Sequence, residues 1–377
     1  MRLPLKSRPA GPDSDRVQAA LATVLDPEIG RPLAELGMLG EVSYGRRGRV
    51  RVPVSLTTRD CPMTEQLRAA VSEALSAVEG IRSVEVELSV MGVRQRAELA
   101  QQLKSTTTPL TGALGSSTRV YAVASGKGGV GKSTVTANVA TELARRGERV
   151  GVLDADVWGY SMPQLFGVRR SPVSFGELML PVPAHGVSLM SVGFFVEDGQ
   201  PVVWRGPMLH KAIQQFLTDT HWGELDVLLI DLPPGTGDVT LTLLELLPDA
   251  ALLAVTTPQP AAHEVAGRVV RMAREAGMPI AGVVENMTAA VCRCCGEDTA
   301  VFGAGGGARL AAQAEAPLLG QVPLDVELRA AGDQGTPVVV SAPAAASARE
   351  LCRVAATLPA PRRRLAGRAL PLSVVSR

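Results

Sequence analysis

Apolar positions at Val17, Ala20, Leu21, Val24 and Leu25 recur at helical spacing, and Asp26-Pro-Glu-Ile-Gly30 stops them, which predicts a helix over Asp15–Leu25. A short helix is predicted over Pro32–Leu36, with strands over Val42–Tyr44 and the alternating run Val50–Thr57. Leu67, Ala70, Val71, Ala74 and Val78 mark another helix, and Val84–Val90 a closing strand. Together they describe a small α+β domain over residues 14–96, after a Pro-rich, disordered start at residues 1–13. Arg94–Leu103 has a helical pattern and Ser105–Thr118 reads as a flexible linker, so residues 97–117 join two domains.

From residue 118 the pattern changes to strand and helix in alternation. Short apolar strands are predicted at Val150–Leu153, Val187–Val192, Val227–Ile230, Ala251–Thr256, Ile280–Val284 and Leu318–Val322. Helices are predicted at Met208–Leu217, Val239–Leu247, Ala262–Ala276, Gly307–Glu315 and Ala345–Leu358. Continuous apolar strands between amphipathic helices imply an α/β domain over residues 118–359, a mostly parallel sheet with helices on both faces. Residues 360–377, with Arg362, Arg363 and Arg364, form a basic tail.

Composition narrows the function classes. The 377 residues carry 38 basic and 37 acidic side chains, a net charge of +1, and 3% aromatics, so no nucleic-acid surface is expected. No run of about 18 apolar residues is present and no signal-peptide pattern opens the chain, so a cytoplasmic protein without a membrane partner is expected. Three of the five cysteines crowd into Cys292, Cys294 and Cys295, with Cys61 and Cys352 apart, which favours metal or redox chemistry over disulfides. The four histidines show no ligand spacing.

The chemistry centres on S-G-K-G-G-V-G-K-S-T. Gly126, Gly131, Lys132 and Ser133 fit G-x-x-x-x-G-K-[ST], after an apolar run (Val120, Tyr121, Val123) and before a helix bearing Val135, Val139 and Leu143. Gly126, Gly128, Gly129 and Gly131 are expected to free the backbone so that the amides of Gly126–Thr134, Lys127 and Val130 included, face a phosphate. The helix start adds positive potential, Lys132 reaches the β- and γ-phosphates, and the Ser133 hydroxyl coordinates Mg²⁺. Lys127 is surplus within one subunit. It is either a solvated loop charge or part of a neighbouring active site.

Carboxylates follow two of the strands: Asp154 and Asp156 in D-A-D-V-W-G-Y-S-M-P, and Asp231 and Asp238 in D-L-P-P-G-T-G-D. Ligands of open parallel sheets bind beyond the carboxyl ends of strands. Asp231 is assigned to Mg²⁺ through water and Asp156 to the attacking water. Gly235 and Gly237 give the second segment the freedom of a switch, while Asp238 is equally explained as a cap.

These segments resemble the deviant Walker A, Asp motif and Walker B of the Mrp (ApbC-type) family of P-loop ATPases, relatives of MinD and ParA. The resemblance continues through V-V-E-N-M, F-G-A-G-G-G and R-A-A-G-D-Q-G-T-P-V-V, and D-P-E-I, E-L-G-M-L and T-T-R-D-C-P resemble the iron–sulfur assembly domain fused to many bacterial members. It implies a homodimeric, ATP-hydrolysing carrier that holds an iron–sulfur cluster and passes it to apo-proteins, working with assembly factors. It also implies catalytic roles for Lys127 (contacting nucleotide across the dimer), Lys132, Asp156 and Asp231, adenine recognition by Asn286, and a Cys at position 61.

Cys292 and Cys295 form C-x-x-C, which can converge on one metal or cluster. Two thiolates are too few for a [4Fe–4S] cluster, so a second chain would supply the other pair across a two-fold axis. Zinc and a redox dithiol fit the same spacing, and the C-R-C-C sequence leaves open which two of the three ligate. Cys352, among Leu351, Val354 and Ala355, reads as core. A rival reading is a ParA/MinD-like positioning switch whose ATP-dependent dimer binds DNA or membrane; another is a zinc-stapled nucleotide-binding scaffold.

Overall fold

Alternation along Arg49–Leu56 sends Val50, Val52, Val54 and Leu56 to one buried face, and the helix Thr64–Ser76 covers that sheet with Leu67, Val71 and Leu75. A computed structural model of the chain describes residues 13–58, 63–105, 117–157, 159–196, 206–237, 240, 246–247, 249–291, 295 and 297–360. These form two units. The first gathers the described residues up to Ser105 with Ser171–Pro183 and Leu217–Gly223, and the second holds the rest.

In the first unit Arg49–Leu56 pairs antiparallel with Ser43–Tyr44 and parallel with Ser83–Val90, and the helix Thr64–Ser76 lies in the crossover. A short antiparallel hairpin, Val173–Phe175 with Leu178–Leu180, adds Phe175, Leu178 and Leu180 to the same core. The helix predicted over Asp15–Leu25 runs from Ser14 to Leu21. It stops early because Leu25 bridges Pro32 and Asp26 Oδ1 accepts the amides of Glu28 and Ile29, both at 2.9 Å. No helix forms over Pro32–Leu36: the amides of Glu35 and Leu36 close one turn on Pro32, and Gly37, with φ +64°, then leads the chain away.

In the second unit the parallel strands lie in the order Ile280–Val291, Ala251–Thr256, Arg119–Ser125, Val227–Asp231, Val150–Asp154, Val187–Ser191. Leu318–Leu324 also pairs with Ile280–Val291. Every residue of Val227–Asp231, Val150–Asp154 and Ala251–Thr256 is buried, because helices cover both faces. Alternate strand residues (Tyr121, Val123, Val152, Leu229, Leu253, Val255) share a core with helices Lys132–Arg145 and Ala346–Thr357. Helices Pro260–Glu275 and Gly306–Gln313 pack on each other outside that core, against Ala251–Thr256 and Ile280–Val291.

The strand predicted to end at Val284 continues to Val291. It stays paired with Leu318–Leu324 through Asn286, loses register, and pairs again at Ala290. Its end also pairs antiparallel with Asp298–Thr299, Ala290 opposite Thr299 and Val291 opposite Asp298. Most of the predicted helix Val239–Leu247, the linker after Ser105, the chain start and the basic tail lie outside the described residues.

Candidate nucleotide site and cysteine segment

The strand Arg119–Ser125 delivers the chain to residues 126–131, and the helix Lys132–Arg145 starts directly after them. Gly129 and Gly131 take φ of +80° and +81°, conformations that favour glycine, and Gly131 is the helix N-cap. The expectation that all four glycines serve backbone freedom is corrected for Gly126 and Gly128, which are not in the left-handed region. Gly126 is required by packing, since a Cβ there would stand 2.2 Å from the Ala266 backbone nitrogen. Gly128 faces nearly open space. The loop opens into a cavity of about 460 Å³ lined by Lys127, Lys132, Ser133, Asp156, Ser161 and Pro234 among others.

Four side chains meet at the end of Val227–Asp231. Asp231, fully buried, accepts hydrogen bonds from Lys132 Nζ at 2.7 Å and Ser133 Oγ at 2.6 Å on Oδ2, and from Thr136 Oγ1 at 3.0 Å on Oδ1. Asp156 Oδ2 lies 3.7 Å from the same ammonium, and its Oδ1 accepts the Gly159 amide. Thr136 was missed by sequence reasoning. Its signal is position: four residues after Lys132, it faces the same way one helical turn on.

Asp154 has no role assigned by the sequence pattern. It stands opposite Asp231 in parallel register and accepts the Asp156 amide, the Met162 amide and the Ser191 hydroxyl. Burial first, then the charge of Asp231, pushes its carboxyl up to about 7. Its hydrogen bonds set the path of the segment that presents Asp156.

The donor set suits Mg²⁺. Asp154, Asp156 and Asp231 are buried with Lys132 as the buried cation beside them, and the Ser133 hydroxyl adds a further hard oxygen. Among the described residues no group of three or more His, Cys, Asp and Glu side chains forms a full metal cage. Mg²⁺ takes few protein ligands and keeps waters, so such a cage is not required.

Lys127 Nζ donates to Gln259 Oε1 at 2.8 Å. Asn286 is 3% exposed and donates from Nδ2 to the Val130 carbonyl at 2.9 Å, beneath the loop. Cys295 is an exposed free thiol, and Cys352 is half-buried against the core, its thiol pushed up chiefly by burial. Cys61, Cys292, Cys294 and Asp238 lie outside the described residues. In sequence, C-R-C-C falls between the paired residues Val291 and Asp298.

The profile of the family described as "NUBPL iron-transfer P-loop NTPase" matches residues 116–359, and that of "Iron-sulfur cluster assembly protein" matches residues 14–88. The chain is 47% identical to the "Iron-sulfur cluster carrier protein" of Mycobacterium leprae over 365 residues, spanning 94% of this chain and 95% of that protein. It is 48% identical to the protein of the same description from Mycobacterium tuberculosis (strain H37Rv) over 371 residues, 96% of this chain and 97% of that one. Among solved structures, the nucleotide-binding protein of Archaeoglobus fulgidus in complex with ADP is 36% identical, with a TM-score of 0.52 over 63% of this chain and 91% of that one.

Proposed function

The chain belongs to the NUBPL-type iron-transfer P-loop NTPases, and from that premise we propose that it is an ATP-hydrolysing iron–sulfur cluster carrier. The observation that supports this most is that one sheet carries both the strand that leads into the phosphate loop and the strand Ile280–Val291, which C-R-C-C follows in sequence. Cys292 and Cys295 are the proposed thiolates, two from each chain of a homodimer, holding a [4Fe–4S] cargo for delivery to apo-proteins in the cytoplasm. The same C-x-x-C pair sets this reading apart from a positioning switch, which would need the phosphate machinery alone.

On nucleotide binding, Lys132 exchanges the Asp231 carboxylate for β- and γ-phosphate oxygens, and Ser133 and Asp231 would hold Mg²⁺. Bound Mg²⁺ supplies charge stabilisation for the transferring phosphoryl group. Asp156, at the cavity wall, orients the attacking water. Lys127 leaves Gln259 to reach the nucleotide of the second subunit. Gly235, at φ +92° with its amide on the Ser125 carbonyl, lets the segment after Asp231 move when the γ-phosphate departs.

The direct test is anaerobic reconstitution of the full chain with iron and sulfide, comparing wild type with Cys292→Ala/Cys295→Ala. The double variant is expected to lose the bound cluster. Equal cluster stoichiometry in both proteins would remove the proposal.

A further inference from the structure

The strand Ile280–Val291 shifts register early, near Gly282 and between Val283 and Val284, and again beyond Asn286, where the irregularity meets the phosphate loop. Asn286 donates to the phosphate-loop carbonyl of Val130, while its own Oδ1 is buried and has no hydrogen-bond partner among the described residues. The next residue, Met287, sits at φ +60°, a conformation that a side chain of its size rarely adopts. Pairing with Leu318–Leu324 loses register between Asn286 and Ala290. An orphaned acceptor, a left-handed residue and a bulge at successive positions mark a segment held by its surroundings, not by its own preference.

Thr288 Oγ1 ties it to the Val322 carbonyl at 3.3 Å on one side, and the phosphate loop holds it on the other. A Cβ on Gly131 would stand 2.1 Å from Asn286 Nδ2, so the loop's last glycine admits that side chain, while Met287 Cε at 3.9 Å lies at ordinary contact distance. Gly131 is also the N-cap whose left-handed conformation starts the Lys132–Arg145 helix. From Asn286 the strand continues to Val291, a reach of roughly 15 Å, and there it pairs with Asp298 on the far side of the cysteine segment.

We infer that Asn286 is a positioning residue that couples the phosphate loop to the cysteine end of this strand, with the Asn286–Met287 bend as the element that changes. Phosphate oxygens drawing on the Gly129–Lys132 amides shift the Val130 peptide, whose carbonyl Asn286 holds. The bend then transmits the shift to Ala290 and Val291. The functional meaning of this coupling rests on the cluster-carrier reading, but the coupling itself does not require a cluster.

Amide hydrogen exchange on the full, cluster-free chain tests it, read at residues 287–291 and 297–299 without nucleotide and with Mg²⁺ and ADP at saturation. In wild type, nucleotide is expected to change exchange at these amides several-fold. In Asn286→Ala, saturated according to its own titration, the change is expected to vanish there while persisting at residues 127–135. Met287→Gly keeps the Asn286 side chain and relaxes the bend, so it should retain the phosphate-loop response and lose most of the distal one. An unchanged distal response in Asn286→Ala overturns the inference, as does no distal response in wild type. If Asn286→Ala does not fold, a full wild-type response in Met287→Gly overturns it. A chain that shows this coupling but binds no cluster sinks the carrier reading alone, and one that binds a cluster without coupling sinks this inference alone.

Discussion

Lys127 is tied to its own chain: its ammonium donates at 2.8 Å to Oε1 of Gln259, the residue that leads into the helix Pro260–Glu275. A lysine that serves a second subunit must first break that bond. Hydrogen bonds to charged groups contribute about 1.5–3 kcal/mol when buried, and less at a half-exposed site such as this one. Gln259→Ala is therefore expected to raise ATP turnover a few-fold at protein concentrations where dimerisation limits the rate, whereas Lys127→Ala loses turnover. Turnover measured against protein concentration checks both. Identical profiles for wild type and Gln259→Ala would show that Gln259 does not restrain the lysine.

Lys132 carries a structural charge as well as the catalytic one proposed for it. Its ammonium contacts Asp231 and Asp156, both buried, with Asp154 behind them. Removing one partner of a buried ion pair typically costs about 3–5 kcal/mol, because the remaining charge is left uncompensated. Lys132→Ala is expected to melt well below wild type without nucleotide, to recover part of the loss in millimolar Mg²⁺, and to show no ATP hydrolysis. A reconstituted cluster should stay bound, and transfer to an apo-protein should stop. Transfer at the wild-type rate would separate hydrolysis from delivery.

Gly126 and Gly128 differ in what they are for, although the sequence gives both the same appearance. A Cβ at Gly126 meets backbone atoms of Val265 and Ala266 at 2.2–2.8 Å, whereas one at Gly128 meets only Pro234 Cγ at 4.0 Å. Overlap with backbone cannot be relieved by a rotamer change, so Gly126→Ala should cost on the order of 3 kcal/mol or more. Gly128→Ala should leave the melting curve of the nucleotide-free chain near wild type. Equal stabilities for the two variants would refute the packing role of Gly126.

The sequence disclosed what its chemistry demands at fixed spacing: Gly131, Lys132 and Ser133 in one loop, and Asp156 and Asp231 at the ends of apolar strands. It hid what depends on register between strands far apart in the chain. Asp154 matters because it pairs across from Asp231, and no local pattern records that pairing. The extension of Ile280–Val284 to Val291 was obscured by the polar pair Glu285 and Asn286. Both are buried, with Glu285 bonded to the Gly307 amide and Gln321 and Asn286 to Val130. The two-residue return at Asp298–Thr299 is too short to leave a periodic signal. Val173–Phe175 and Leu178–Leu180 are similarly short, and they share a core with residues more than a hundred positions earlier.

Asp154 makes a prediction about pH. Its folded-state pKa is about 7 against an ordinary 3.8, so between these values the folded chain holds a proton that the unfolded chain has released. The resulting stability is complete near pH 4, falls as pH rises through about 7, and is lost above. One proton corresponds to a limiting slope of about 1.4 kcal/mol per pH unit. His221, whose pKa burial lowers, acts in the opposite sense below its ordinary 6.5. The measurement is therefore the difference between wild type and Asp154→Asn in denaturant midpoint, without nucleotide, from pH 5.5 to 8.5. Wild type should lose stability relative to the variant as pH rises, with the difference flattening above about pH 8. Parallel pH profiles would mean that Asp154 is ionised in the folded chain throughout, and that the charge of Lys132 is shared more evenly among the three carboxylates than their burial implies.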